Sequence, residues 1–557
     1  MPSERDALLN KSGDVWKPTL ELRIIQLVTW ANVFLVGFDA TIAAATYAII
    51  GHLGSSFQDA NNAVWISTSY LITSTSFQPL YGRLSDVDMF GRRKCFLFAT
   101  TVFWLGSLLC GVAPNMLSLN LARAFTGIGG GGLQSVATII LSDYVPFQHR
   151  GKYQSANNLW NGLGAALGAS LGAWITEPFN WRFMFLVQLP VCTLGIIGGA
   201  IYIKEPNYVK GPLEEDVANK KQLKDIDILG SLTLVLGLSS LLAGLNLGGN
   251  DKQWSDPLVV GFLVSAAVFL IGFWIVELNA VAPILPPRLL RSTLAYSNIT
   301  TNFFSGAACI SFLFLTPLYF ESVKQESSGT AGRRLIVPAL GFPAGALVAG
   351  YVMSRYGYLN RLVQVGCVIA TIGCALPLNF DSSGTNSDAT YFWSLVPTNI
   401  GQGLINPSSL FTMLAAFSHA EQAVSTSVVY LFRNVGSVFG VTVTATIFQN
   451  YVMVYLPDAL SGLDNSDDIV DKVRKSVDAI HDVPIEYRLA VKSVLANGLK
   501  SAYGCSTLFA IFALVSSYWA YGGSLERKDS DETLSAQYVS QGEEELSQEI
   551  TIPVCRA

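Results

Sequence analysis

Charge is scarce in this chain. Only 13% of its 557 residues are Asp, Glu, Lys or Arg, about half of the roughly 25% usual in soluble domains. With 51% apolar residues and a mean hydropathy of +0.41, one soluble core cannot hide the apolar surface, and lipid must be the solvent for much of it. Catalytic signatures are missing as well. There is no Walker lysine motif and no HExxH, so an enzyme is not expected. Without a nucleotide-binding motif, energised work must draw on an ion gradient. The eight cysteines are scattered, mostly inside apolar runs, with no CxxC or Cys/His cluster. No metal, cofactor or disulfide framework is therefore expected. The net charge of −5 and the lack of a basic stripe exclude nucleic acid as a partner. The first twenty residues are polar, so no cleavable signal peptide is expected.

What is present is a series of apolar runs of about 20 residues, long enough to cross a bilayer as helices. Fourteen are expected, near 24–48, 62–84, 95–113, 118–141, 153–176, 183–203, 226–248, 257–279, 294–320, 332–353, 361–380, 391–416, 423–449 and 501–522. With the N-terminus in the cytosol, most of the 35 Lys and Arg fall in cytosolic segments. The short opposite loops hold Arg182, Lys252, Lys324, Arg333 and Arg334. That bias puts both termini in the cytosol. Residues 204–225 read as a charged cytosolic linker, 450–500 as a loop on the far side carrying short amphipathic helices, and 523–557 as an acidic, disordered tail.

A weak repeat runs through the chain. Gly82 to Asp86, followed by Gly91, Arg92, Arg93 and Lys94, come after the second run; Gly350, Ser354, Arg355, Gly357 and Arg361 come after the tenth. Gly164, Gly168 and Gly172 form a four-residue ladder in the fifth run, and Gly436 and Gly440 a shorter one in the thirteenth. Two six-helix halves with two helices inserted between them explain this spacing.

Few charges lie deep in the runs. Asp39, in Gly-Phe-Asp-Ala-Thr, is expected to be a proton or cation site, because an unpartnered carboxylate at that depth costs several kcal/mol. At about 1.5 Å per residue, Asp39 and Arg123 lie roughly 5 Å and 10 Å outside the midplane. The two are expected to form a pair whose strength changes with protonation and substrate. Arg433 is the third deep charge; packing on helix-end carbonyls and substrate contact are equally open for it. Phe38 and Tyr70 are candidate aromatic contacts for a cationic solute, although such rings more often serve packing. The Gly82–Lys94 segment reads as a charge latch between helix ends, with Gly82, Asp86, Asp88, Gly91, Arg92 and Arg93 as its parts. Gly127 to Gly132 matches GxGxxG, but inside an apolar helix it signals close packing rather than a dinucleotide.

These residues resemble the major facilitator superfamily, in its fourteen-span drug/proton antiporter branch. Gly82-x-Leu84-x-Asp86 with Gly91-Arg92-Arg93 is similar to the loop signature after span two. Here Asp86 stands two residues further from the glycine than the family spaces it, while Asp88 has that spacing. Leu119-x-x-x-Arg123-x-x-Thr126-Gly127 is similar to the span-four motif, whose arginine is implicated in proton transfer. Gly164, Gly168 and Gly172 are similar to the antiporter motif of span five, with Ala169 and Ser170 where a proline is usual. Phe38-Asp39-Ala-Thr41-Ile42 and Trp181-Arg182-Phe183 are typical of the branch. The resemblance implies an all-α, polytopic membrane protein with the major-facilitator fold: an N-terminal bundle over 24–203, inserted helices over 226–279 and a C-terminal bundle over 294–522, following a 1–23 tail.

Within the branch, Tyr70 to Asp86 and Arg150-Gly151-Lys-Tyr153-Gln154 resemble the fungal vacuolar basic amino acid transporters. Glu4, Leu8 and Leu9 fit an acidic dileucine signal read by a sorting adaptor. The expected function is a monomeric proton antiporter in the vacuolar membrane that loads basic amino acids into the lumen, with lipid, the solute and H+ as its partners. A plasma-membrane drug or siderophore exporter is the nearer alternative, and a nutrient sensor on a transporter scaffold the more distant one.

Overall fold

The computed structural model describes residues 18–57, 65–85, 90–145, 147–176, 181–204, 227–248, 252–280, 283–285, 292–326, 330, 334–335, 338, 340–381, 387–417, 422–460 and 485–519. The sorting motif, Asp86, Asp88, Arg333, all of the 204–225 linker but its first residue, and the 523–557 tail lie outside these residues. Among the described residues the regular elements are helical. They are α1 (Leu20–Phe57), α2 (Trp65–Ser85), α3 (Gly91–Val112), α4 (Met116–Tyr144), α5 (Phe147–Thr176), the short α6 (Phe183–Leu186), α7 (Leu189–Tyr202), α8 (Ile228–Leu247), α9 (Pro257–Asn279), α10 (Thr293–Ser322), α11 (Gly341–Tyr356), α12 (Leu359–Ala375), α13 (Asp388–Ala416), α14 (Gln422–Ala459) and α15 (Ile485–Trp519). Ten spans taken from these helices, α6 and α7 counting as one, are long and apolar enough to cross a membrane. The helices outside those ten are α2, α5, α11 and α13; α2, α5 and α13 bury polar residues such as Gln78, Asn157 and Asn399 inside the protein.

The repeat foreseen in the sequence is a repeat of packing. In the first half α1 packs on α5, α2 and α3 on α4, and α7 on α1 and α3. In the second, α10 packs on α14, α11 and α12 on α13, and α15 on α10 and α12. Glycines permit the tightest of these contacts. A Cβ at Gly164 or Gly168 would strike the carbonyl oxygens of Phe34 or Phe38, and one at Gly436 or Gly440 those of Phe303 or Ala307. Small residues let helix backbones approach closely in this way. The turns from α2 to α3 and from α11 to α12 share a second device, since Gly91 has φ 67° and Gly357 φ 69°. Both are left-handed positions that favour glycine.

The halves meet along two seams, α5 on α11 and α2 on α14. Along the first, Gly151 lies beside Met353, Gly350 beside Ser155 and Gly162 beside Pro343. Along the second, Asn434 donates to Gln78 Oε1 at 2.8 Å, while the Tyr430 hydroxyl bonds Thr138 at 3.1 Å and Gln154 at 3.4 Å. The inserted α8 lies along this second seam. Leu242 and Ala243 pack with Ile72 of α2, and Leu234 and Leu238 join the core built around α14. Behind α8, α9 is little buried, whereas α4 is mostly buried. Val260, Val264, Val268, Ile271 and Ile275 of α9 are exposed, which gives it a face for hydrocarbon.

The stretch expected as a 450–500 loop is helical at both ends. α14 continues to Ala459 and α15 begins at Ile485. Val452, Leu456, Val491 and Leu495 form a small core between the two extensions, which explains why they remain helical. α1 likewise runs beyond the expected 48, to Phe57.

Candidate functional site: a buried ion pair and a second deep arginine

The two deep charges of the first half form a bond. Arg123 Nη1 lies 2.9 Å from each carboxylate oxygen of Asp39, and both side chains are 0% exposed. Such a pair is tolerated away from water only when further hydrogen bonds hold its remaining groups. Arg123 Nε donates to the Ile66 carbonyl at 3.0 Å, and its guanidinium stands 4.5 Å from the Tyr70 ring centroid and 5.6 Å from that of Phe185. Gln188 Nε2 donates to Asp39 Oδ1 at 3.2 Å. Arg123 Nη2 and Gln188 Oε1 are buried with no hydrogen-bond partner among the described residues.

Sequence reasoning missed Gln188. Its signal is Pro190, which has no N–H and whose ring clashes with a carbonyl four residues back. The sixth run therefore breaks into α6 and α7, and Gln188 falls at the joint. In this conformation Asp39 is enclosed, with α2, α4, α6 and the α6–α7 joint supplying the groups around the pair.

Tyr70 belongs to this enclosure, and Phe38 stacks on Phe34 with ring centroids 5.8 Å apart. Arg433 lies in the other half. Its Nε and Nη2 donate to Asn302 Oδ1 at 3.1 and 2.7 Å, and Nη2 also reaches Ser409 Oγ at 3.4 Å. No helix-end carbonyl is among its partners in the described residues. No described contact joins Arg433 to Phe38 or Tyr70.

At the α2–α3 turn, Arg92 Nε meets Asp143 Oδ2 at 2.8 Å, and Arg92 Nη1 donates to the Ser85 carbonyl at 2.6 Å. Asp143, at the end of α4, is a partner that the sequence did not single out; an acidic residue closing a helix beside a basic loop was its signal. Arg93 donates to the Ala200 carbonyl at 2.5 Å, and Gly82 is buried in α2. Gly172 lies in α5 beyond Gly164 and Gly168. The GxGxxG glycines serve packing: a Cβ at Gly127 or Gly131 would strike α2, and one at Gly129 would strike α3.

The family model described as the Major Facilitator Superfamily matches residues 29–441. The chain belongs to the major facilitator superfamily. This major facilitator is 36% identical to the Vacuolar basic amino acid transporter 2 of Saccharomyces cerevisiae, over 81% of its own length and 96% of the relative's. It is 34% identical to the Multidrug resistance protein fnx1 of Schizosaccharomyces pombe, over 83% and 86% of the two chains. The fold is shared with the human organic anion transporter MFSD10, at a TM-score of 0.58 and 14% identity, over 90% of this chain and all of that one. It is a multi-pass membrane transporter and not an enzyme.

Proposed function

We propose that this transporter is a proton-coupled antiporter that moves basic amino acids from the cytosol into the vacuole. All fourteen helices of fourteen or more residues cross the membrane in this reading, and both termini are cytosolic. The supporting observation is the enclosed Asp39–Arg123 pair with its attendant Gln188. A carboxylate and a guanidinium in a low-dielectric enclosure attract strongly, and protonating the carboxylate removes most of that attraction. The arginine would then be a buried cation without a counter-charge, a costly state relieved only by rearrangement. Two orphaned polar atoms beside the pair, Arg123 Nη2 and Gln188 Oε1, suit a site with a second arrangement. Proton uptake and release at Asp39 is thereby tied to a change of shape.

In this mechanism the α2–α3 turn acts as the gate, with Arg92 bridging to Asp143 in the closed form. The substrate class follows the relative named for basic amino acids, aligned over 96% of its length. The rival reading, drug efflux at the cell surface, is supported by the relative named for multidrug resistance.

Labelled lysine, arginine and histidine offered to isolated vacuolar vesicles, with and without an uncoupler, test the proposal. Uptake should require the proton gradient and vanish in Asp39→Asn while the protein still reaches the membrane. Gradient-driven uptake undiminished in that variant would remove Asp39 from the mechanism. A tagged chain at the cell surface would favour the efflux reading.

A further inference from the structure

The second deep arginine differs in kind from the first. Arg433 is 9% exposed, yet no carboxylate faces it among the described residues. Its hydrogen-bond acceptors are the neutral Asn302 Oδ1 and Ser409 Oγ, and its Nη1 makes no hydrogen bond among the described residues. A charge placed near a bilayer centre costs about 2.5–3.5 kcal/mol on insertion scales, and such groups ordinarily pair with one another or with backbone carbonyls. The guanidinium is nevertheless held firmly. Asn302 donates from Nδ2 to the Asn298 carbonyl and to Asn298 Oδ1, both at 2.9 Å, and Asn298 donates to the Ser409 carbonyl at 2.8 Å. Three amide and hydroxyl side chains on α10 and α13 thus aim one edge of the arginine and leave its positive charge uncancelled.

Its position matters as much as its charge. Tyr430, one turn earlier on α14, bonds Thr138 and Gln154 of the other half, and Asn434, the next residue, bonds Gln78. Arg433 therefore stands at the junction that must part when the halves rock. The small cavity beside the cluster, lined by Ser305, Cys309, Thr398 and Gln402, holds about 10 Å³, room for about one water. A solute reaches this place only after the seam opens.

We propose that Arg433 is the subsite that receives the carboxylate of the transported solute. An aligned guanidinium with a free corner is suited to a planar oxyanion, and a carboxylate arriving there supplies the missing counter-charge. The assignment rests on the reading that the solute is an amino acid. It adds that recognition depends on the α-carboxylate and not on the cationic side chain alone.

Decarboxylated analogues separate the two. In vesicles containing the full chain, lysine and arginine should compete for uptake at least about tenfold better than cadaverine and agmatine. In Arg433→Gln the KM for lysine should rise about tenfold and the preference over cadaverine should disappear, while Arg433→Lys should keep part of it. A purely structural role for Arg433 would lower the amount of folded protein and leave the preference intact, which would overturn the proposal, as would a wild-type chain indifferent to the carboxylate. If the wild type takes up no basic amino acid, the proposed function fails, and thermal protection of the purified chain decides the subsite separately. There, other amino acids are compared with their parent amines, for example alanine with ethylamine. Protection that needs both the carboxylate and Arg433 supports the subsite; protection that needs neither, or none at all, removes it.

Discussion

The two halves solve the same packing problem and treat their deep arginines in opposite ways. Each half seats its first helix on its fifth through glycines that meet backbone carbonyls, Gly164 and Gly168 in one, Gly436 and Gly440 in the other. Each turns from its second helix to its third through a left-handed glycine. The interiors then diverge. Arg123 is cancelled by Asp39, whereas Arg433 leans on asparagine and serine. Shape was thus retained across the repeat while charge was redistributed, so that one half holds a closed pair and the other an open cation.

The comparison is broken most forcefully at the closed pair. Arg123→Gln leaves a buried carboxylate without its counter-charge and should destabilise the protein by about 3–5 kcal/mol. Asp39→Asn combined with Arg123→Gln should recover most of that loss without restoring transport. Thermal unfolding in detergent reads both effects, and equal melting of the single and double variants would mean that the pair does not govern stability. Next come the glycines. Gly164→Val and Gly436→Val should each cost about 1–3 kcal/mol by overpacking, and similar losses in the two halves would sharpen the claim of a shared scaffold. Arg433→Gln strands no opposite charge and leaves Asn302 Oδ1 bonded to Ser409. Its cost should stay near about 1 kcal/mol; a loss as large as that of Arg123→Gln would reveal a carboxylate partner and dissolve the contrast. The smallest effect is expected at the α2–α3 turn, where a double-mutant cycle between Arg92 and Asp143 should give a coupling of at least about 0.5 kcal/mol.

Much of this was legible in the residues. Apolar run length gave the helices, because a bilayer demands about 20 residues for each. The glycine ladder marked α5 as a close-packing helix, since a four-residue glycine spacing presents one smooth helix face, but it did not name α1 as the partner. Depth counting along two helices brought Asp39 level with Arg123. Gln188 escaped notice because its role arises from a helix break, which depends on how Pro190 is accommodated and not on periodicity. Asp143 escaped because its partner lies 51 residues away, beyond any local pattern. Short amphipathic helices were expected in the 450–500 stretch, but not that they continue α14 and α15, because each is too polar to register as part of a span and becomes helical by leaning on the other.

The inserted pair has a consequence for motion. α8 bonds the first half through Ser239 and Ser76, 3.2 Å apart, and also joins the apolar core around α14. It acts as a splint along one flank of a rocking joint. Whatever swing carries α2 away from α14 must slide over this splint or drag it through lipid, so the two flanks of the transporter cannot swing as mirror images of each other.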